Sequence, residues 1–263
     1  LKTLSLVIPA YNEEARLPAL LEALAATADE AVADAGFELV ETLVVDDGST
    51  DRTREILARA NQPGLVPVLD HSDNRGKGAA VADGCRNARG DYVLLADVDL
   101  STPLGELTKL SEAISAGADV AIGSRAVAGA MVERGPAHRK VTGKAFGSTV
   151  RLLTDLDVRD TQNGFKLLPA KAAKALFAEQ LCPGFAFDVE LLMRAKLAGL
   201  RIAEVPVLYV HDERSRVRVG RASLQMLRDV VMLSHRLRPR RAVGPQSVVS
   251  RTWLGELPAD DSD

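Results

Sequence analysis

No run in this chain reaches the roughly 18 consecutive apolar residues that a membrane-crossing helix needs, so no spanning segment is expected. Cysteine is scarce. Cys85 and Cys182 stand far apart, match no metal spacing and read as small buried apolar residues in a reducing compartment. No secretory signal pattern precedes the first strand, and a cytoplasmic location is the expectation. Positive charge is not in excess. The 33 Lys and Arg against 36 Asp and Glu leave a net charge of -3, which excludes a chain-wide basic field for nucleic acid. Two nucleotide motifs are missing as well. The Gly-x-x-x-x-Gly-Lys-Ser/Thr spacing of a P-loop is absent, and no Gly-x-Gly-x-x-Gly follows the first strand, which counts against a dinucleotide-binding oxidoreductase.

What is present is an α/β pattern. The 263 residues, 46% of them hydrophobic, suit one large domain with a sizeable core. Leu4 to Ile8 is a short apolar run stopped by Pro9, and Leu17, Leu20, Leu21 and Leu24 then recur at helical spacing in a helix expected from Asn12 onward. Leu39–Val45, Val66–Leu69 and Tyr92–Ala96 read as further strands, with helices between them. A helix is expected over Val141–Leu153, another over Phe187–Leu197, and a strand interrupted by Pro206 over Ile202–Val210. Such alternation implies a mostly parallel sheet flanked by helices, in which ligands sit beyond the carboxyl ends of the strands. The polar clusters follow the strands: Asn12-Glu13 after the first, Asp46-Asp47 after the second, Asp97 and Asp99 after the fourth.

Asp97-Val98-Asp99 places two carboxylates where both can face a hard divalent cation bridging phosphate oxygens, and Mg2+ or Mn2+ is the expected cofactor. Taken alone the pair is equally a solvated turn or an N-cap. Asp46-Asp47-Gly48-Ser49 offers an acid for a ribose hydroxyl or a base N–H, and would also serve as a strand-to-helix turn. Pro9-Ala10-Tyr11-Asn12-Glu13-Glu14 adds an aromatic to flank a base, and Asn74-Arg75-Gly76-Lys77-Gly78 adds cations and close backbone amides that suit a nucleotide.

In chain order, Val7-Ile8-Pro9-Ala10-Tyr11-Asn12-Glu13-Glu14, Val45-Asp46-Asp47-Gly48-Ser49-Thr50-Asp51, Asn74-Arg75-Gly76-Lys77-Gly78 and Ala96-Asp97-Val98-Asp99 closely resemble the family-two inverting glycosyltransferases of the GT-A fold. Further on, Gly123-Ser124-Arg125, Arg139, Asp160-Thr161-Gln162-Asn163-Gly164-Phe165-Lys166 and Phe187-Asp188-Val189-Glu190 are similar to the dolichyl-phosphate glucosyltransferase branch, close kin to the dolichol-phosphate mannose synthases. The resemblance implies one GT-A domain over residues 1–235, with a nucleotide-sugar half (1–125) and an acceptor half (126–221). It implies that Pro9, Tyr11, Glu13 and Asp47 line the nucleoside pocket, with Lys77 on the nucleotide-sugar side, and that Asp97 and Asp99 hold the metal on the diphosphate. Arg125 and Arg139 would meet the acceptor phosphate, while Asp160, Gln162, Phe187 and Glu190 would shape the sugar and acceptor side. Arg214 and Arg216 stand where the family carries a basic loop that closes over the diphosphate, and Ser101 stands where some mannose synthases place a third metal ligand.

The activity so implied is metal-dependent transfer of a hexose, glucose before mannose, from a nucleotide diphosphate sugar to a polyprenyl phosphate with inversion. The alternatives are a family-two transferase using GDP-mannose or a soluble or polysaccharide acceptor, and a catalytically silent relative that binds nucleotide-sugar. Residues 222–238 form a helical pattern with Met226, Val230, Leu233 and Leu237 on one face, followed by Arg238, Arg240 and Arg241. This suits peripheral contact with the cytoplasmic membrane face. The same stripe would equally pack on the sheet or on a second copy in a homodimer. Residues 239–263 read as a largely disordered tail.

Overall fold

The computed structural model describes residues 1–60, 65–68, 71–133, 147–211 and 219–237. The tail expected over 239–263 and the arginines Arg139, Arg214, Arg216, Arg238, Arg240 and Arg241 lie outside these residues. Strands β1 (Lys2–Ala10), β2 (Phe37–Asp46), β3 (Leu65–Val68), β4 (Tyr92–Leu95), β5 (Val120–Ser124), β7 (Lys166–Pro169) and β8 (Ile202–Pro206) form one sheet in the order β3-β2-β1-β4-β7-β5-β8. All neighbours pair in parallel except β7, which runs antiparallel to both β4 and β5. A second sheet pairs β6 (Met131–Glu133) with β9 (Leu208–Val210).

The helices are α1 (Leu17–Asp34), α2 (Thr53–Arg59), α3 (Lys77–Asn87), α4 (Leu107–Ser115), α5 (147–154), α6 (Ala170–Ala178), α7 (Phe187–Leu197) and α8 (Val219–Arg236). They cover both faces of the sheet, so its strands are largely buried and mostly apolar, with Ser5, Glu41, Thr42 and Lys166 as buried polar exceptions. Successive side chains still divide by face. Leu6 and Ile8 join the core under α1 and α4, while Val7 joins the core under α3, α6 and α7. α1 buries Leu17, Leu20, Leu21, Leu24, Ala28, Ala31 and Val32, the spacing of one helical face.

Three expectations are corrected. The first helix starts at Leu17 rather than at Asn12. Asn12 adopts a left-handed backbone (φ 54°), and its Oδ1 accepts from the Thr50 and Asp51 amides, so the segment 12–16 is a loop tied to the turn after β2. The strand expected over Ile202–Val210 is two strands. β8 ends at Pro206, which pairs with Ser124, and the chain then turns to place Leu208–Val210 against Met131–Glu133. The stripe assigned to the membrane is core. Val230 and Leu233 are 0% exposed, and Met226 and Leu237 pack against the same cluster as α7. That face of α8 is therefore closed to lipid, and Leu224 and Val231 are its exposed apolar residues. Among the described residues no helix is long and apolar enough to cross a membrane.

Candidate active site

The carboxyl ends of β1, β2, β4 and β5 share one edge. Because β7 is antiparallel, the residues leading into it, Asp160 to Phe165, reach that same edge. Asp97 and Asp99 follow β4 there. A Lys77 Nζ to Asp97 Oδ1 distance of 2.6 Å pairs the first acid with the first residue of α3. Burial alone would raise the Asp97 carboxyl, but the Lys77 ammonium, helped by Lys166 and Arg125, outweighs it and holds it below the usual carboxylate range. Asp99 accepts from the Ser101 amide at 3.0 Å and lies 3.4 Å from Arg16 Nη1. Arg16 in turn grips Glu13 through Nε (2.6 Å) and Nη2. Glu13, Arg16 and Asp99 thus form one charged row; earlier on the chain, Tyr11 is exposed and Pro9, near the end of β1, is half-buried.

The acids suit a divalent cation. The donor set is hard carboxylate oxygen, an ammonium and a guanidinium already stand against it, and the buried Ser101 hydroxyl, two residues beyond Asp99, has no hydrogen-bond partner among the described residues. No group of three or more His, Cys, Asp or Glu able to hold a metal occurs among the described residues, so substrate oxygens would complete the shell. Gly164 makes this corner compact, since a Cβ there would lie 2.6 Å from both Asp97 carboxylate oxygens.

On the other flank, Asp160 accepts two guanidinium bonds from Arg125, each 2.7 Å, and the Arg125 amide at 2.9 Å. Burial would raise Asp160, but those bonds outweigh it and keep the carboxyl below its ordinary range; the Arg125 guanidinium, despite burial, is held charged. Arg125 also lies 4.8 Å over the Tyr209 ring. Glu204 on β8 sets this loop by accepting from the Asp160 amide and the Ser124 hydroxyl, both at 2.7 Å. Gln162 meets Met226 on α8, which joins the loop to the last helix.

Three residues expected to face ligand face inward. Asp47 is 2% exposed and its oxygens are taken by the Arg75 amide (2.9 Å), the Gly76 amide (2.8 Å), Asn74 Nδ2 (3.0 Å) and His71 Nδ1 (2.7 Å). It holds the 71–76 loop that delivers Lys77, and in this structure its carboxylate is turned to that loop. Glu190, also 2% exposed, accepts from the Leu181 and Cys182 amides and from Arg194. Phe187 is a core residue whose ring lies 5.8 Å from Lys77 Nζ. Both side chains are packed into the wall formed by α7 and the 179–182 segment. Arg16, His71, Lys166, Asp188 and Glu204 were not among the expected site residues. Arg16 carries a local signal in its i,i+3 spacing from Glu13, and Lys166 and Asp188 stand inside the family-like segments 160–166 and 187–190 without a role of their own.

An acidic pair with opposed cations at the carboxyl edge of such a sheet is the arrangement expected of a GT-A transferase. Residues 5–177 match the glycosyl transferase family 2 pattern, and the chain belongs to that family. The dolichyl-phosphate beta-glucosyltransferase of Drosophila melanogaster is 36% identical over 240 residues, covering 88% of this chain and 74% of that protein. Glucosyl-3-phosphoglycerate synthase from Mycobacterium tuberculosis, solved with phosphoglyceric acid, superposes with a TM-score of 0.63 at 23% identity, covering 93% of this chain and 83% of that one. The same enzyme solved with Mn2+, UDP-glucose and glycerol 3-phosphate gives 0.59 at 22% identity over the same shares. These two share its fold.

Proposed function

We propose that this glycosyltransferase moves glucose from UDP-glucose to a polyprenyl phosphate with inversion, using Mg2+ or Mn2+ at Asp97 and Asp99. The observation that carries the reading is the paired edge: two acids suited to a cation on a diphosphate, beside the rigid Arg125–Asp160 clamp. The likeness to a dolichyl-phosphate beta-glucosyltransferase supports both the sugar and the lipid.

A polyprenyl phosphate is ionised at neutral pH, so its oxygen attacks the anomeric carbon without a general base. The new bond forms between that oxygen and C1 as the bond from C1 to the diphosphate breaks, and the electron pair leaves on UDP. A divalent cation held by Asp97 and Asp99 would neutralise the charge that gathers on this leaving group. Lys77 adds a second positive group there, and Tyr11 offers its exposed ring to the base. Arg125, held by Asp160 yet 32% exposed, turns a fixed guanidinium toward the acceptor phosphate. Arg139, Arg214 and Arg216 are assigned to the same anionic groups from the sequence.

A hydroxyl acceptor would require a base, and the candidate is Asp160. Its carboxylate is engaged by Arg125 and shifted downward, which makes it a poor proton acceptor and favours the phosphate. The experiment is a panel of radiolabelled UDP-glucose and GDP-mannose with polyprenyl phosphate or soluble acceptors. Lipid-soluble label from UDP-glucose is expected; label only in soluble product would replace this reading with that of a soluble-acceptor transferase.

A further inference from the structure

Four charged side chains alternate beneath the acidic edge. Lys166, fully buried, donates to the Asp188 carboxylate and to the Asn163 carbonyl. Asp188, 4% exposed, feels the Lys77 ammonium as well as that of Lys166. Lys77 then reaches Asp97 at 2.6 Å. A buried pair such as Lys166–Asp188 gains little net stability once its desolvation is counted, so its place in this wall calls for another role.

We propose that Lys77 is a built-in counter-ion of the cation site, neutralising Asp97 while the donor is absent and passing toward Asp188 and the diphosphate when donor and divalent cation arrive together. This rests on the assignment of Asp97 and Asp99 to that cation. An ammonium on Asp97 Oδ1 occupies the oxygen that a divalent cation needs and repels it. The nucleotide-free protein therefore holds metal weakly. The anionic diphosphate draws Lys77 away and opens the oxygen, so donor and metal bind as a coupled pair.

The surroundings are built for a side-chain movement. Gly76 (φ 104°), anchored by Asp47, fixes the backbone just before Lys77, leaving its four-carbon stem as the moving part. Gly78 lets α3 close on α7; a Cβ there would lie 2.5 Å from the Phe187 Cβ. That approach puts the Phe187 ring 5.8 Å from the ammonium and brings Asp188 within range of its charge. Lys166 holds Asp188 in place through a direct hydrogen bond. Lys77 lies close enough for its charge to act on the same carboxylate, so Asp188 offers the ammonium a second acidic neighbour.

The test is a Mn2+ titration of the full chain by electron paramagnetic resonance, with and without UDP, on the wild type, Lys77→Met, Lys77→Arg, Asp188→Asn and Asp97→Asn. Without nucleotide, Lys77→Met is expected to bind Mn2+ about tenfold tighter than the wild type, while Lys77→Arg stays near it. UDP should tighten Mn2+ binding more in the wild type than in Lys77→Met, and less in Asp188→Asn than in the wild type. Lys77→Gln serves in place of Lys77→Met if the latter loses its folded melting transition. Equal or weaker nucleotide-free affinity in the charge-removed variant overturns the counter-ion role. If Asp97→Asn binds Mn2+ as well as the wild type, the cation assignment itself fails instead.

Discussion

Gly164 packs directly against the Asp97 carboxylate, leaving no room for a side chain between the turn before β7 and the acid at the end of β4. The contact lies at the end of a flexible group, so a methyl at 164 would push the Asp97 carboxylate aside rather than break the sheet. Gly164→Ala is expected to lower kcat/KM by roughly 10- to 100-fold, the scale on which small displacements of catalytic groups act. Its melting temperature should stay close to the wild type. A calorimetric scan paired with turnover measurements checks both; a large loss of stability with unchanged activity per folded molecule would contradict it.

Asp99 has a narrower set of partners, the Ser101 amide and Arg16. Asp99→Ala should therefore fold, and its turnover should fall by about 100-fold or more, since a lost cation ligand removes transition-state stabilisation worth several kcal/mol. EDTA should do the same to the wild type, with added Mn2+ restoring it. Full turnover by the variant or in EDTA would remove the cation from the account.

Asp160 gives a pH signature. Its folded pKa lies below the ordinary 3.8, so its stabilising contribution is complete above that value and is lost as pH falls through the lower folded one. The stability difference between wild type and Asp160→Asn should be flat from neutral pH to about pH 4.5 and shrink below it. Denaturant melts across that range measure it. A difference that grows on acidification would mean that the Arg125 clamp does not hold the acid charged.

Much of this arrangement is legible in the residues. Leu4 to Ile8 and Leu39 to Val45 announce buried strands, and the acids that follow them fall on one edge because parallel strands share a direction. What escapes pattern reading depends on partners distant in the chain. Lys166 looks like a loop cation until Asp188 and the Asn163 carbonyl are seen to bury it, and β7 is hidden for that reason. Asp47 carries the same side chain whether it meets a ribose or four donors from residues 71–76, and only the fold distinguishes these. The apolar stripe on α8 was found by its spacing, but spacing does not say what covers it.

That stripe makes its own prediction. Leu233 is fully buried, so Leu233→Ala should cost about 2–5 kcal/mol of stability, whereas Val231→Ala on the exposed side should cost far less. Urea melts of the two variants decide between core and lipid. Near-equal, small losses would return the stripe to the membrane.

The central claim is metal-assisted, inverting transfer of glucose to a lipid phosphate. Its most direct test is to follow UDP-glucose labelled with 13C at C1, together with a short-chain polyprenyl phosphate, by 13C and 31P NMR. The account predicts a single β-linked glucosyl phosphodiester formed in step with UDP, only when Mg2+ or Mn2+ is present, and lost in Asp99→Ala. Release of free glucose, an α-linked product, or equal turnover in EDTA would contradict it.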